Sequence, residues 1–119
     1  MTPLRRASIL IVEDNVLVAM ELEDAVSRLG YRVMGPFHNL ADGSAAVQLE
    51  TPDFALLDFD LGDGLDSIPI AETLSANQVP FAFISGTDPA VIHASMPNTP
   101  VVGKPMDEAA LTKLLRPLA

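Results

Sequence analysis

The sequence predicts an α/β fold in which helices cover both faces of a parallel sheet. Two observations support this prediction. Five short apolar runs alternate along the chain with five segments that have helical spacing or helix-capping residues. The apolar runs are nearly continuous, as expected for strands that are buried on both faces. Strict alternation of strands and helices indicates parallel strands joined by right-handed crossovers.

The first half of the chain predicts two strand–helix units. The largely β-branched run 8–12 is the first strand, and helical spacing of apolar residues predicts a helix over 15–29. A second, shorter strand is expected over 31–35. The next helix, over about 39–50, begins with an asparagine, which is a preferred N-cap residue. A Thr-Pro pair at 51–52 ends it.

The second half contains three further strands, over 54–57, 81–84 and 100–102. The three helices that follow them begin at Ser67, Asp88 and Asp107, and the first and last extend to about Asn77 and Arg116. Pro97 and Pro100 limit the middle helix to about two turns. For a chain of 119 residues, this order of elements favours a flavodoxin-like (βα)5 doubly wound parallel sheet with strand order 2-1-3-4-5.

The composition narrows the classes of protein to consider. One domain over 1–119 is expected, with its core at about 8–116. The absence of cysteine excludes disulfides and thiolate metal sites, and two histidines disfavour a histidine-based metal site. A net charge of −9 argues against binding to nucleic acid or to an anionic membrane. The basic start over 1–6 precedes an apolar run that is too short for a signal peptide, so we expect a cytoplasmic location.

Polar residues follow four of the predicted strands. Glu13 and Asp14 follow the first strand, Asp58 the third, Ser85 the fourth and Lys104 the fifth. In a doubly wound sheet the carboxyl ends of the strands form the ligand-binding edge, so these side chains are expected to converge there. Crowded carboxylates need a proton or a cation, and Mg²⁺ prefers hard oxygen ligands. A carboxylate can also attack phosphorus, and Mg²⁺ with Lys104 would neutralise the transferring group.

Four short motifs within 8–116 resemble the receiver domains of two-component response regulators. They are Ile11-Val12-Glu13-Asp14, Leu56-Leu57-Asp58 with Leu61-Gly62, Ile84-Ser85-Gly86 and Lys104-Pro105. Each motif alone is weakly specific, but all four occur in order and each follows its own strand. The resemblance implies a phosphorylation switch rather than an enzyme, although such a domain catalyses its own phosphorylation and dephosphorylation. It also implies a phosphohistidine donor, on a sensor histidine kinase or a histidine phosphotransfer protein, and a downstream protein partner.

The resemblance further implies a role for each site residue. Asp58 corresponds to the phosphoacceptor that becomes an aspartyl phosphate. The acid pair 13–14 corresponds to the pocket that holds Mg²⁺ together with Asp58, and the backbone carbonyl of Asp60 corresponds to a further metal ligand. Ser85 corresponds to the switch Ser/Thr, and Lys104 to the lysine that contacts the phosphoryl group.

One position departs from the usual receiver pattern. Receivers usually carry Tyr or Phe three residues before the lysine, and this chain has Val101 there. The run 80–86 resembles a receiver subgroup with a Pro-Phe-x-Phe-Ala-Thr-Gly pattern, which also lacks that aromatic residue. Because Val101 is too short to act as a lever, we expect phosphorylation to order or displace the segment 86–100 instead.

Two alternative functions also follow from the sequence. The run 57–62 resembles the first motif of haloacid-dehalogenase-type phosphatases, in which Asp58 would be the nucleophile and Asp60 the acid/base. That function needs a second acid pair for the metal, and only 107–108 remains, in a predicted helix. The other alternative is a degenerate receiver that only binds proteins, which the complete set of site residues disfavours. The side chains of Asp60 and Asp63 are expected to be solvated.

Overall fold

The computed structural model of the protein describes residues 6–118. Five strands are present: β1 (Ser8–Val12), β2 (Arg32–Phe37), β3 (Phe54–Asp58), β4 (Phe81–Ser85) and β5 (Val101–Gly103). They pair in parallel in the order β2-β1-β3-β4-β5. The predicted α/β, flavodoxin-like topology is therefore confirmed. Most of the basic N-terminal segment, Met1–Arg5, lies outside the described residues, as does Ala119.

The helices follow the predicted alternation with the strands. They are α1 (Val16–Arg28), α2 (Leu40–Leu49), α3 (Ile68–Ala76), α4 (Pro89–Ser95) and α5 (Glu108–Leu115), and a 3-10 turn over Arg116–Leu118 follows α5. Four of them begin at a side chain that accepts a backbone N–H of the first turn. These N-cap residues are Asn15, Asn39, Asp88 and Asp107. None of the helices within 6–118 is long and apolar enough to span a membrane.

The start of α3 differs from the prediction in its capping. Ser67 occupies the N-cap position, but its side chain makes no capping hydrogen bond. Its hydroxyl is fully buried and has no hydrogen-bond partner among the described residues. Asp66 accepts the backbone N–H of Ile68 instead, at 3.0 Å. The predicted helix start at Ser67 is therefore confirmed, but the capping acceptor is the side chain of the preceding aspartate.

The strand β2 is longer than predicted. It has 6 residues against the 5 of β1, although Pro36 removes a backbone donor from it. Because β2 is an edge strand, it tolerates proline. The strand also holds one extra residue, since Leu10 pairs with Met34 and Val12 with Phe37, which are two positions apart on β1 but three on β2. The irregular stretch contains a glycine with φ 99, at position 35.

The hydrophobic core lies on both faces of the sheet. All residues of β1 and β3 are buried. On one face Phe83 of β4 packs in a cluster that includes Leu74 of α3 and Ile92 of α4. On the other face Ile84 packs in a cluster with residues of α1 and α5, including Leu111. Phe83 is fully buried. Each such side chain contributes roughly 1.5–3 kcal/mol when fully buried, so the sheet is a rigid support for the loops at its edge.

Candidate functional site

The predicted site residues converge at the carboxyl edge of the sheet. They surround an open cavity of about 400 Å³. The residues that line it are Asp14, Asn15, Asp58, Asp60, Gly62, Ser85, Gly86, Thr87 and Lys104. Glu13 does not line this cavity and is fully buried beside it. The structure therefore brings together residues that are separated by as many as 91 positions, between Glu13 and Lys104.

Three carboxyl groups form the centre of the site. One oxygen each of Glu13, Asp14 and Asp58 lies within 4.8 Å of the others. Asp58 is 5% exposed, whereas Asp14 is exposed. The backbone N–H of Asn15 donates to Glu13 Oε2 at 3.0 Å and thereby orients the buried carboxylate. The backbone N–H of Glu13 donates to Phe37 at 2.9 Å, which fixes the loop to the end of β2.

Lys104 is the cation of this cluster. Its Nζ lies 2.7 Å from Glu13 Oε1 and 3.2 Å from Asp58 Oδ1. The backbone N–H of Lys104 donates to the carbonyl of Ser85 at 3.1 Å, which positions the residue at the end of β5. Burial lowers the pKa of Lys104, but hydrogen bonding to Glu13 and the charges of Asp58 and Glu13 more than offset this and raise the pKa.

The pKa values of Asp58 and Asp14 shift in opposite directions. Burial, hydrogen bonding with Glu13 and Asp14 and the charge of Glu13 together raise the pKa of Asp58 to about 8, and the charge of Lys104 opposes this shift. A hydrogen bond from Asp58 lowers the pKa of Asp14, with smaller contributions from Glu13 and Lys104, and burial opposes this shift.

Asp60 lies in a short hairpin that joins β3 to α3. Its side chain is exposed and Oδ1 accepts the backbone N–H of Gly62 at 2.9 Å, while its backbone bridges to that of Asp66. Gly62 has φ 84, and a Cβ there would lie 3.7 Å from Asp14 Oδ2. The hairpin therefore holds Asp60 at the cavity while its carboxylate is used within the loop. The Asp63 side chain is exposed, as predicted.

Ser85 and Thr87 also line the cavity. Ser85 is 3% exposed, and its Oγ accepts the backbone N–H of Thr87 at 2.8 Å. The hydroxyl hydrogen of Ser85 remains available to a further acceptor. Sequence reasoning assigned no role in the cavity to Thr87 or Asn15. Thr87 could have been found from its position two residues after Ser85, because a serine side chain often accepts the backbone N–H two residues on in a Ser/Thr turn.

The donor set fits a hard divalent cation. Three carboxyl groups face a single lysine, and burial together with the neighbouring acids disfavours the carboxylate form of Asp58, which a cation would stabilise. Mg²⁺ accepts such oxygen ligands and keeps several waters, and the open cavity leaves space for them. Glu13, Asp14 and Asp58 are the side chains available to hold it.

The second acid pair that a phosphatase of the haloacid-dehalogenase type would need lies elsewhere. Asp107 caps α5 by accepting the N–H of Ala110 at 2.7 Å, and Glu108 pairs with Arg28 at 3.2 Å. Both acids line a different cavity from the one that Asp60 lines. The downstream pair 107–108 therefore does not line the cavity that holds Asp58 and Asp60.

Comparison with known proteins finds similarity to bacterial regulators. The chain is 28% identical over 110 residues to the phyllosphere-induced regulator PhyR of Methylorubrum extorquens, which is 90% of this chain and 41% of that protein. It is 30% identical to the response regulator REC domain of Erythrobacter litoralis PhyR, with a TM-score of 0.83 and coverage of 95% of this chain and 89% of that one. SdrG from Sphingomonas melonis is 35% identical, with a TM-score of 0.82 and coverage of 95% and 96%. No protein-family model matches the sequence.

Proposed function

The chain belongs to the receiver domains of response regulators, and from this premise we propose that it accepts a phosphoryl group on Asp58 and thereby changes its binding to a partner protein. The receiver core would extend over about 8–116. The chain spans 41% of the length of the Methylorubrum regulator, so the proposal concerns the receiver step alone.

The observation that carries the proposal is the position of the Asp58 carboxyl group. It ends a central strand, lies beside the acid pair and is 3.2 Å from Lys104 Nζ. One carboxylate oxygen of Asp58 would attack the phosphorus of a phosphohistidine. As the new O–P bond forms, the P–N bond breaks and its electron pair returns to the imidazole nitrogen. Lys104 would pair with the phosphoryl oxygens, since its ammonium group already faces the attacking side chain.

Mg²⁺, held by Glu13, Asp14, Asp58 and the backbone carbonyl of Asp60, would stabilise the carboxylate form of Asp58 and the negative charge of the phosphoryl group. The hydroxyl of Ser85 would donate a hydrogen bond to the aspartyl phosphate. Asn15 would keep the acid pair in place, because its N–H bonds to Glu13.

The proposed partners follow from the same premise. A sensor histidine kinase or a histidine phosphotransfer protein would supply the phosphoryl group in the cytoplasm, and a downstream protein would bind the switched form. We also assign the chain to the subgroup with the Pro-Phe-x-Phe-Ala-Thr-Gly pattern, on the basis of the run 80–86 and Val101. The negative charge of the chain disfavours nucleic acid and anionic membranes as direct partners.

Intact-mass measurement after incubation with acetyl phosphate and Mg²⁺ tests the proposal. The wild-type protein should gain one phosphoryl group, Asp58→Asn should gain none, and the matched exposed-acid variant Asp63→Asn should label like wild type. Full labelling of Asp58→Asn would disprove the assignment. Repeated turnover of a phosphomonoester such as p-nitrophenyl phosphate, lost in Asp60→Asn, would favour the phosphatase alternative.

A further inference from the structure

A second cavity lies between α1 and α5, separate from the acidic cavity at the sheet edge. Its volume is about 300 Å³. Its apolar walls are formed by Val18, Leu22, Ala25, Ile84, Met106 and Leu111. Concave, mostly apolar sites of this size with a few polar groups at one side are typical of small-molecule binding sites. Of the residues that line this cavity, the proposed phosphoryl transfer uses only Lys104.

The rim of this cavity is negatively charged. Glu21, Asp107 and Glu108 also line it, and all three are exposed. Glu108 is compensated by Arg28 at 3.2 Å. Within 6–118, neither Glu21 nor Asp107 forms an ion pair. The side chain of Asp107 accepts only a backbone N–H of its own helix, so two carboxylate charges at the rim have no cation beside them.

Lys104 does not compensate these charges, although it lines the cavity. Its ammonium group is 2.7 Å from Glu13 and 3.2 Å from Asp58, on the side of the acidic cavity. Lys104 is thus a wall of both cavities. A molecule in the cavity between α1 and α5 would therefore contact the same lysine that faces Asp58.

We propose that the cavity between α1 and α5 binds a compact hydrophobic amine. The apolar body would displace water from the walls formed by Leu22, Ile84 and Leu111, and the ammonium group would remain at the rim near Glu21 and Asp107. Acidic groups at the rim disfavour anions of the same shape. The charge of the rim therefore selects among ligands that the apolar walls alone would accept equally.

Occupation of this cavity would also affect phosphorylation. Because Lys104 lines both sites, a ligand that restricts its side chain changes the pairing with Asp58, and by linkage phosphorylation changes the affinity for the ligand by the same factor. This coupling rests on the proposed function of Asp58. Binding of the amine does not depend on the proposed function of Asp58, so the binding and its coupling to phosphorylation are measured separately.

Titration with tryptamine, followed by amide NMR shifts, tests the binding. The dissociation constant is expected on the order of 1 mM, given the small number of atoms that tryptamine buries. Shifts should map to α1 and to the start of α5. Neutral 3-methylindole should bind several-fold more weakly, and the anion indole-3-propionate at least about tenfold more weakly. Glu21→Gln should reduce the preference for the amine.

A pair of alanine variants provides the structural control. Ala25→Leu fills the cavity from α1 and should weaken tryptamine at least about tenfold, whereas Ala45→Leu on α2, at an exposed position on the other face, should not. Equal binding of the amine and the anion would overturn the proposal, as would unchanged binding by Ala25→Leu. Absence of binding by all three probes would also overturn it and would leave a protein side chain as the occupant.

The coupling is tested by the rate of labelling with acetyl phosphate. Saturating tryptamine should change the rate at least about twofold in the wild-type protein and leave it unchanged in Ala25→Leu. An unchanged wild-type rate would disprove the coupling. Tryptamine could also bind as described while neither the wild-type protein nor Ala25→Leu is labelled in its absence. That result would disprove the phosphoacceptor function of Asp58 and leave the proposed ligand site intact.

Discussion

Lys104 Nζ lies 2.7 Å from Glu13 Oε1 and 3.2 Å from Asp58 Oδ1, so its closer ion pair is with the buried glutamate. Glu13 is fully buried, and Lys104 is the only cation near it among the described residues. A buried charge that loses its partner is strongly destabilising. The lysine therefore stabilises the fold in addition to its proposed contact with the phosphoryl group.

Lys104→Met is expected to lower the free energy of unfolding by roughly 2–4 kcal/mol near neutral pH, because it leaves Glu13 buried without a cation. The double variant Glu13→Gln/Lys104→Met should recover most of this loss. Urea unfolding measures both, and Lys113→Met, which removes an exposed lysine of α5, is the control. Equal losses in the single and double variants would show that Glu13 is not the cause.

Asp14→Ala should weaken Mg²⁺ binding at least about tenfold and abolish labelling by acetyl phosphate, because it removes the exposed acid of the pair. The wild-type affinity should itself be modest, since waters complete the coordination sphere. Calorimetric titration measures the affinity. Asp63→Ala, in the neighbouring loop, should bind Mg²⁺ like wild type, and an unchanged titration of Asp14→Ala would refute the site.

Asp58→Asn should stabilise the metal-free protein by roughly 1–3 kcal/mol at pH 8 and by less at pH 5. The pKa of Asp58 is raised to about 8 by burial and neighbouring acids, so between its ordinary pKa and that value the native state holds a proton that the unfolded state lacks. The stabilisation that Asp58 contributes to the wild-type protein is fully present below the ordinary pKa of the group. It is lost as the pH rises from there through about 8. Thermal unfolding across this range measures the difference. A gap that narrows with rising pH would contradict the protonation of Asp58.

The segment 86–100 should show the largest change in amide hydrogen exchange when beryllofluoride mimics phosphorylation. Ile92 is its only buried side chain, and α4 has 7 residues, so tertiary packing holds it weakly. Residues of α2 should change little and serve as the internal reference. Equal protection of 86–100 in both states, with a strong response at Val101, would show that β5 transmits the signal after all.

Ser67→Ala should leave the stability within about 0.5 kcal/mol of wild type or raise it, because the buried hydroxyl has no partner in the described structure. Asn39→Ala should cost about 1 kcal/mol, since its side chain caps α2 at 2.7 Å from the N–H of Asp42. Chemical unfolding of both variants makes the comparison. A loss of the same size in Ser67→Ala would reveal a hydrogen bond to an ordered water or to another group.

The sequence was sufficient to predict where the site residues would converge. A parallel sheet places the ends of its strands at one edge, so the order of motifs located Asp58, Ser85 and Lys104 relative to one another. The pairing of Lys104 with Glu13 was not predictable, because it depends on side-chain distances rather than on strand order. The unused hydroxyl of Ser67 was missed for a similar reason, since a neighbouring side chain competed for the same role.

The irregular edge of the sheet has a consequence for association between molecules. An exposed edge strand offers a row of unpaired backbone groups to which another chain can add. In β2, Pro36 lacks a donor and the extra residue breaks the regular spacing of the row. A Cβ at Gly35 would lie 2.7 Å from the backbone nitrogen of Phe37, so only glycine permits this break. The β2 edge thus disfavours the addition of another strand through its backbone, independently of the salt concentration that screens the net charge of −9.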